Sequence, residues 1–316
     1  MAPAVSVVLA THNRAARLER LLGALRAQTL EPGAFEVVVV DNASHDATGA
    51  LLDAAAAAGD LDLRVVRRAR AGGAARGRDD GWRTARAPLV AFTDDDCEPR
   101  PGWLEALLQA SERAPGTLLA GRVEPNPAEL EALSPFARTL QVDGAGPWYP
   151  TANIAYPRAL LEQVGGFDRG YVLGGEDTDL AWRALDAGAR AEYVVDAVVD
   201  HAVWDLGPWG ALRLPLRWSD GVRLLADHPA RRREVLLWGL FWKEAHRDLL
   251  LGALGLALAR RLPPLLLLGL PWLAGARRRL FLSRGSARHV PWLVAHDAVE
   301  CFAVARGALR HRVAVL

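Results

Sequence analysis

Over its first two hundred residues the chain alternates between short β-branched apolar runs and segments whose apolar residues recur every three or four positions. Val5–Ala10 (VSVVLA) and Phe35–Asp41 (FEVVVVD) are apolar almost without interruption, the pattern of strands covered on both faces. Between them Leu18, Leu21, Leu22 and Leu25 repeat at helical spacing. The same reading predicts a helix over Ala47–Ala58, a strand at Leu63–Arg68, a helix over Ala74–Ala85 and a strand at PLVAFT. A helix over Pro101–Arg113 and a strand at TLLAGRV follow. Strands separated by helices imply right-handed crossovers and a mostly parallel sheet. Pro125 to Pro150 carries Pro125, Pro127, Pro135, Pro147 and Pro150 with little periodicity, and reads as a long loop holding at most a short helix. Order returns with a helix at Ala159–Val164 closed by Gly165-Gly166, a helix opening at EDTD, and the strand AEYVVDAVVDH. From Leu206 onward the pattern is helical. The expected organisation is an α/β unit over residues 1–205, its halves meeting near 123/124, and a helical region over 206–316.

Composition sharpens that division. The chain is 51% hydrophobic, so a large core is available and the composition is that of a folded chain. The net charge of +1 hides about −10 over residues 1–206 and +11 over 207–316. The acidic part is a poor partner for nucleic acid. The basic part is rich in Leu and Trp, which points to an anionic membrane surface. Its apolar segments Leu249–Ala259 and Leu262–Ala276 each fall short of the roughly 20 residues of a spanning helix. Arg260-Arg261 and Pro263-Pro264 interrupt them. Interfacial or re-entrant helices are therefore expected; the alternative is a soluble appendage or a homo-oligomer contact. Two cysteines, Cys97 and Cys301, make no disulfide framework. No signal-peptide pattern opens the sequence. The expected location is the cytoplasm, peripherally at the inner face of the cell membrane.

The candidate chemistry begins at LVAFTDDDCEPRPGW, where an apolar strand ends in Asp94, Asp95 and Asp96. In an extended backbone Asp94 and Asp96 point the same way, an arrangement suited to Mg2+ or Mn2+ shared with phosphate oxygens. Asp95 would then face away, toward backbone amides of the following turn. The turn after the first strand, ATHNRA, has no glycine, which excludes the dinucleotide fingerprint, and no P-loop is present. AGGAARG (Ala71–Gly77) follows the third strand and reads as a helix entry. A metal-bridged diphosphate is what remains.

Four stretches taken in order, VSVVLATHNR, FEVVVVDNASHDAT, AGGAARGRDDGWRTARAPLVAFTDDD and VGGFDRGYVLGGEDTDLAWRALDAG, resemble a family-2 glycosyltransferase of the GT-A fold over roughly residues 4–205. The resemblance implies a Rossmann-type, mostly parallel sheet flanked by helices, and inverting transfer from a nucleoside-diphosphate sugar. It puts Thr11 and Asn13 at the nucleoside, Asp41 at the base, and Arg76 near the nucleotide. Asp94 and Asp96 match the metal and nucleotide-sugar motif, with Asp95 grouped among the nucleotide-sugar residues. Asp177 matches the general base, with Glu176 beside it and a helix N-terminus expected to keep it ionised. His201 completes the metal shell, and Asn153 lines the acceptor site. Trp148 and Tyr149, in the Pro-rich loop, are the aromatics expected to meet the acceptor. A UDP- or dTDP-sugar is the implied donor, Mn2+ or Mg2+ the cofactor, and a glycan, lipid-linked or small-molecule hydroxyl the acceptor. A degenerate, membrane-recruited binding protein and a sugar-phosphate nucleotidyltransferase are the rival readings.

Overall fold

A computed structural model describes residues 2–316. The first half realises the predicted alternation as β1 (Val5–Thr11), α1 (Ala15–Arg26), β2 (Phe35–Asp41), α2 (Thr48–Ala58), β3 (Leu63–Arg67), α3 (Gly73–Thr84) and β4 (Leu89–Thr93). Then come β5 (Cys97–Pro99), α4 (Trp103–Arg113), β6 (Leu118–Pro125), β7 (Ala137–Arg138), β8 (Asn153–Pro157), α5 (Arg158–Val164), α6 (Glu176–Asp186), β9 (Ala191–His201) and β10 (Trp204–Asp205). The helices α7 (Gly207–Arg213), α8 (Trp218–Asp227), α9 (Arg232–Val235), α10 (Glu244–Leu258), α11 (Leu270–Leu282) and α12 (Val290–His311) complete the chain.

Eight strands form one sheet in the order β3-β2-β1-β4-β8-β6-β9-β5. The first four in that order are mutually parallel. β8 runs antiparallel to both β4 and β6, β6 is parallel to β9, and β5 runs against β9. The sheet is thus mostly parallel, the α/β fold expected, with two reversed strands. Both reversed strands are five residues or shorter, and neither shows in the hydrophobic pattern.

Burial explains the continuous apolar runs. Val5, Val7 and Leu9 face one side of the sheet and Val8 the other, and all are fully buried, as are Val37, Val38, Val39 and Val40. The leucines predicted from helical spacing, Leu18, Leu21, Leu22 and Leu25, close one face. On the other face α3 lies against β1 and β2 through Gly77 and Gly81. A Cβ on Gly77 would stand 2.7 Å from the Cβ of Ala10, and one on Gly81 2.6 Å from Val8. The glycine-rich stretch therefore serves close helix-on-sheet packing.

The chain separates into two compact units. One comprises Met1–Ala128, Thr139–Val172 and Glu176–Ala202; the other comprises Glu129–Arg138, Leu173–Gly175 and Val203–Leu316. The second unit holds α7 to α12 and the short β7–β10 pair. The apolar segment expected over 262–276 splits into a 3-10 turn at Pro263–Gly269 and the start of α11. Paired prolines remove amide donors there, which breaks the helix. Among the described residues no helix is long and apolar enough to cross a membrane.

Candidate active site

The carboxyl ends of β1, β2 and β4 bring Thr11, Asp41 and the acidic triplet to one rim of the sheet, since Thr11 stands in register with Asp41. Short side-chain bonds fix the loops there. The Asp41 carboxylate accepts the Ser44 amide at 2.9 Å. Asn13, in left-handed backbone, accepts the His45 amide at 2.7 Å, tying the loop after β1 to the loop after β2.

The triplet is arranged differently from the extended strand expected. β4 ends at Thr93, and the Cys97 amide donates to the Asp94 carbonyl, closing a turn over Asp94–Cys97. In a turn the two-residue alternation no longer sets the side-chain directions, and the two carboxylates have different partners. Asp94 instead accepts a bond from Arg78 at 2.5 Å. Asp95, expected to face backbone amides, accepts the Thr11 hydroxyl at 2.8 Å. Burial, reinforced by Asp96, pushes the Asp95 carboxyl up to about 6.

Asp96 faces His201, at the end of β9, with Nε2 3.7 Å from Oδ1. β5 pairs with β9 so that Cys97 stands opposite His201, which is why residues over a hundred positions apart converge. One ligand atom each from Asp96, Cys97 and His201 lies within 4.8 Å of the others. His201 Nδ1 lies 2.8 Å from the Ala202 carbonyl, which can only accept, so Nδ1 carries a proton and Nε2 is the nitrogen turned toward Asp96. Burial holds the Cys97 thiol well above its ordinary range, so without a metal it stays protonated and is the weakest candidate of the three. One carboxylate and one imidazole remain, a set that suits a divalent ion completing its shell with phosphate oxygens and water.

Arg78 is the residue that sequence reasoning missed. It is 8% exposed, and its guanidinium joins Asp94 on one side to Glu176 on the other, at 2.8 Å. Arg76, the position expected near the nucleotide, is exposed and donates to the Arg169 carbonyl. The available signal was Gly77 and Gly81: their spacing marks the face of α3 laid on the sheet, and Arg78 adjoins it. Asp79, one residue on, accepts the Trp82 indole, the Phe167 amide and the Arg169 guanidinium. It thereby fastens the GGFDR segment to α3.

Glu176 and Asp177 open α6, which the chain enters through Gly174 and Gly175 at φ of 151° and 101°, angles other residues rarely adopt. Asp177 accepts the Thr178 amide at 2.8 Å. Its side chain stays partly open to water, yet burial and the neighbouring Glu176 push its carboxyl up to about 7, with Arg78 opposing. That direction runs against the ionised carboxylate expected at a helix N-terminus. Thr178 in turn donates to the Trp148 carbonyl, which draws the Pro-rich loop to the start of α6.

Two expected acceptor contacts are otherwise engaged. Asn153 is 2% exposed; its amide donates to the carbonyls of Arg122 and Ala197, and its oxygen accepts the Trp103 indole. It is a pin between strands, buried and engaged through both its amide nitrogen and its oxygen. Tyr149 is buried, its ring against Gly146. Trp148 keeps an exposed ring tilted against Trp182, with centroids 6.3 Å apart.

Comparison with known proteins bears on the family and the fold. Residues 6–161 match the model of glycosyl transferase family 2. A pre-mycofactocin glycosyltransferase of Mycobacterium tuberculosis is 34% identical over 258 residues, which is 74% of this chain and 50% of that protein. A validoxylamine A glucosyltransferase of Streptomyces hygroscopicus subsp. limoneus is 32% identical over 285 residues, 78% of this chain and 60% of that one. The chain thus spans about half the length of the first of these relatives. A mannosyltransferase from Pyrobaculum calidifontis, solved with GDP-Man and Mn2+, superposes with a TM-score of 0.59 at 23% identity, covering 99% of this chain and 88% of that one. S. aureus TarS 1-349, solved with UDP-GlcNAc, superposes at 0.54 and 16% identity, over 98% and 92% of the two chains. The fold is that of the GT-A glycosyltransferases.

Proposed function

We propose, from the premise that the chain belongs to glycosyl transferase family 2, that it is an inverting glycosyltransferase using a nucleoside-diphosphate sugar. The observation that carries this reading is the Asp94–Arg78–Glu176 chain of ion pairs, which joins the acidic triplet to the start of α6. Donor-side and acceptor-side carboxylates thereby occupy one cluster.

Within that cluster the roles divide by what each group already holds. Glu176 is committed to Arg78, whereas Asp177 beside it has a carboxyl raised to about 7, the range of an efficient general base at neutral pH. Asp177 takes the proton of the acceptor hydroxyl as that oxygen bonds to the anomeric carbon, and the bond from that carbon to the diphosphate breaks. Asp96 and His201 would hold Mn2+ or Mg2+, whose charge offsets that of the departing diphosphate. Thr11, Asn13 and Asp41 line the nucleoside end, with a uridine or deoxythymidine diphosphate the first choice of donor. Trp148 offers its exposed face to the acceptor, which is a glycan, a lipid-linked sugar or a small molecule. The basic helical unit holds the enzyme peripherally at the inner face of the cell membrane.

Calorimetry with sugar nucleotides and Mn2+ tests the reading, using wild type and Asp96→Ala. Wild type should bind at least one donor in a metal-dependent manner, and Asp96→Ala should lose that dependence. Equal, metal-independent affinity in both would remove the metal site. Absence of binding and of donor hydrolysis across the panel would remove the enzyme.

A further inference from the structure

The second unit carries an apolar surface that its own packing leaves open. α10 and the 3-10 turn after it form a hairpin whose backbones touch: a Cβ on Gly255 would stand 2.2 Å from the Leu265 carbonyl, and one on Gly252 3.3 Å from the Gly269 Cα. Such contact turns the intervening side chains outward. Leu254, Leu256, Leu262, Leu266, Leu267 and Leu270 are 51–68% exposed. From Leu249 to Leu258 α10 carries no polar side chain, and a helical segment apolar all round is the mark of one with an apolar neighbour; so many exposed leucines exceed the isolated ones normal on a soluble surface.

Charge identifies the neighbour. No acidic residue occurs between Asp248 and Asp297, while seven arginines do. Arg260, Arg261, Arg277, Arg278, Arg284 and Arg288 are exposed. Two copies of this chain meeting through that surface would oppose arginines with no carboxylate to pair them. A layer that is apolar beneath and anionic at its boundary satisfies both features at once. At 15 residues α10 is about 22 Å long, shorter than the hydrocarbon core, so the hairpin enters without crossing.

We infer that the α10 hairpin, residues 249–273, is a preformed wedge that seats its leucines in the interface of an anionic bilayer while Arg260 and Arg261 engage lipid phosphates. The inference rests on the membrane-association part of the proposed function and specifies the element responsible. The test is flotation of the full chain with phosphatidylglycerol–phosphatidylcholine vesicles and with pure phosphatidylcholine vesicles, at low and high salt. Wild type should float with the anionic vesicles and lose binding as salt rises. Leu256→Glu/Leu262→Glu/Leu266→Glu and, separately, Arg260→Ala/Arg261→Ala should each weaken partitioning about tenfold or more. Their donor binding and thermal unfolding should match wild type. A leucine variant that floats like wild type overturns the wedge and leaves membrane association to another surface. A wild-type protein that never floats overturns both. Self-association abolished by the leucine changes, without vesicle binding, assigns the surface to a second copy. If the leucine variant misfolds, undiminished flotation of the arginine variant is the result that sinks the proposal.

Discussion

Each unit of this protein buries a cluster of carboxylates, and the two clusters are held in opposite ways. In the helical unit Asp297 takes both arms of Arg279 and the Trp272 indole, and these hold its carboxyl well below the usual range against the cost of burial. Burial alone would raise Glu300 there, but His246 and Lys243 bring it down to about 2. At the rim of the sheet the balance reverses: burial and like charge push Asp95 up to about 6 and Asp177 to about 7. A buried acid matched with cations is a staple. Acids buried in excess of cations cost stability, and such a site persists where it receives a cation or moves a proton.

The largest effect that tests this contrast is on rate. Asp177→Asn should cut transfer by about 10²–10⁴-fold while donor affinity stays near wild type; turnover close to wild type would move the base elsewhere, with Glu176 first. In the matched cluster, Arg279→Ala should destabilise the protein by about 3 kcal/mol, the low end for a broken buried pair because Arg279 is 35% exposed. Denaturant unfolding measures it, and donor binding should not change. Asn153→Ala should cost about 1–3 kcal/mol by stranding the Trp103 indole. Its acceptor KM should stay constant; a raised KM with intact stability would return Asn153 to the acceptor site.

The smallest effect is on the pH dependence of unfolding in metal-free buffer. Asp177 has a native value near 7, above that of an unfolded carboxyl, so the folded protein binds more protons between about pH 4 and 7. Its stabilising contribution is therefore complete at the acid end and is lost as pH rises through 7. Wild type should lose more Tm between pH 5 and pH 8 than Asp177→Asn, by about 2–4 °C for each kcal/mol involved. Parallel curves would show that Asp177 ionises as an ordinary carboxylate.

Much of the fold was legible because its signals are local. Runs such as VSVVLA and FEVVVVD can only be strands covered on both faces, and Leu18, Leu21, Leu22 and Leu25 can only be one helical stripe. β5 and β8 were not, because three and five residues are too few for a period. The apolar strand ending in Asp94, Asp95 and Asp96 likewise pointed to a strand end as the place where chemistry gathers.

By itself, then, the sequence determined the α/β core, the strand ends at which chemistry gathers, the charge division between the two regions and the interrupted apolar segments of the second. Tertiary structure alone decided which atoms meet. Arg78 outranks Arg76 because only one face of α3 looks inward, and Asp96 joins His201 because β5 happens to pair with β9. Asp94 and Asp96 take different partners where a turn, set by the bond from the Cys97 amide to the Asp94 carbonyl, replaces the alternation an extended chain would impose. The reason is common to all three. Periodicity and composition are properties of neighbours in sequence, whereas a side chain's partner and its proton affinity are set by groups that only folding brings within a few ångströms.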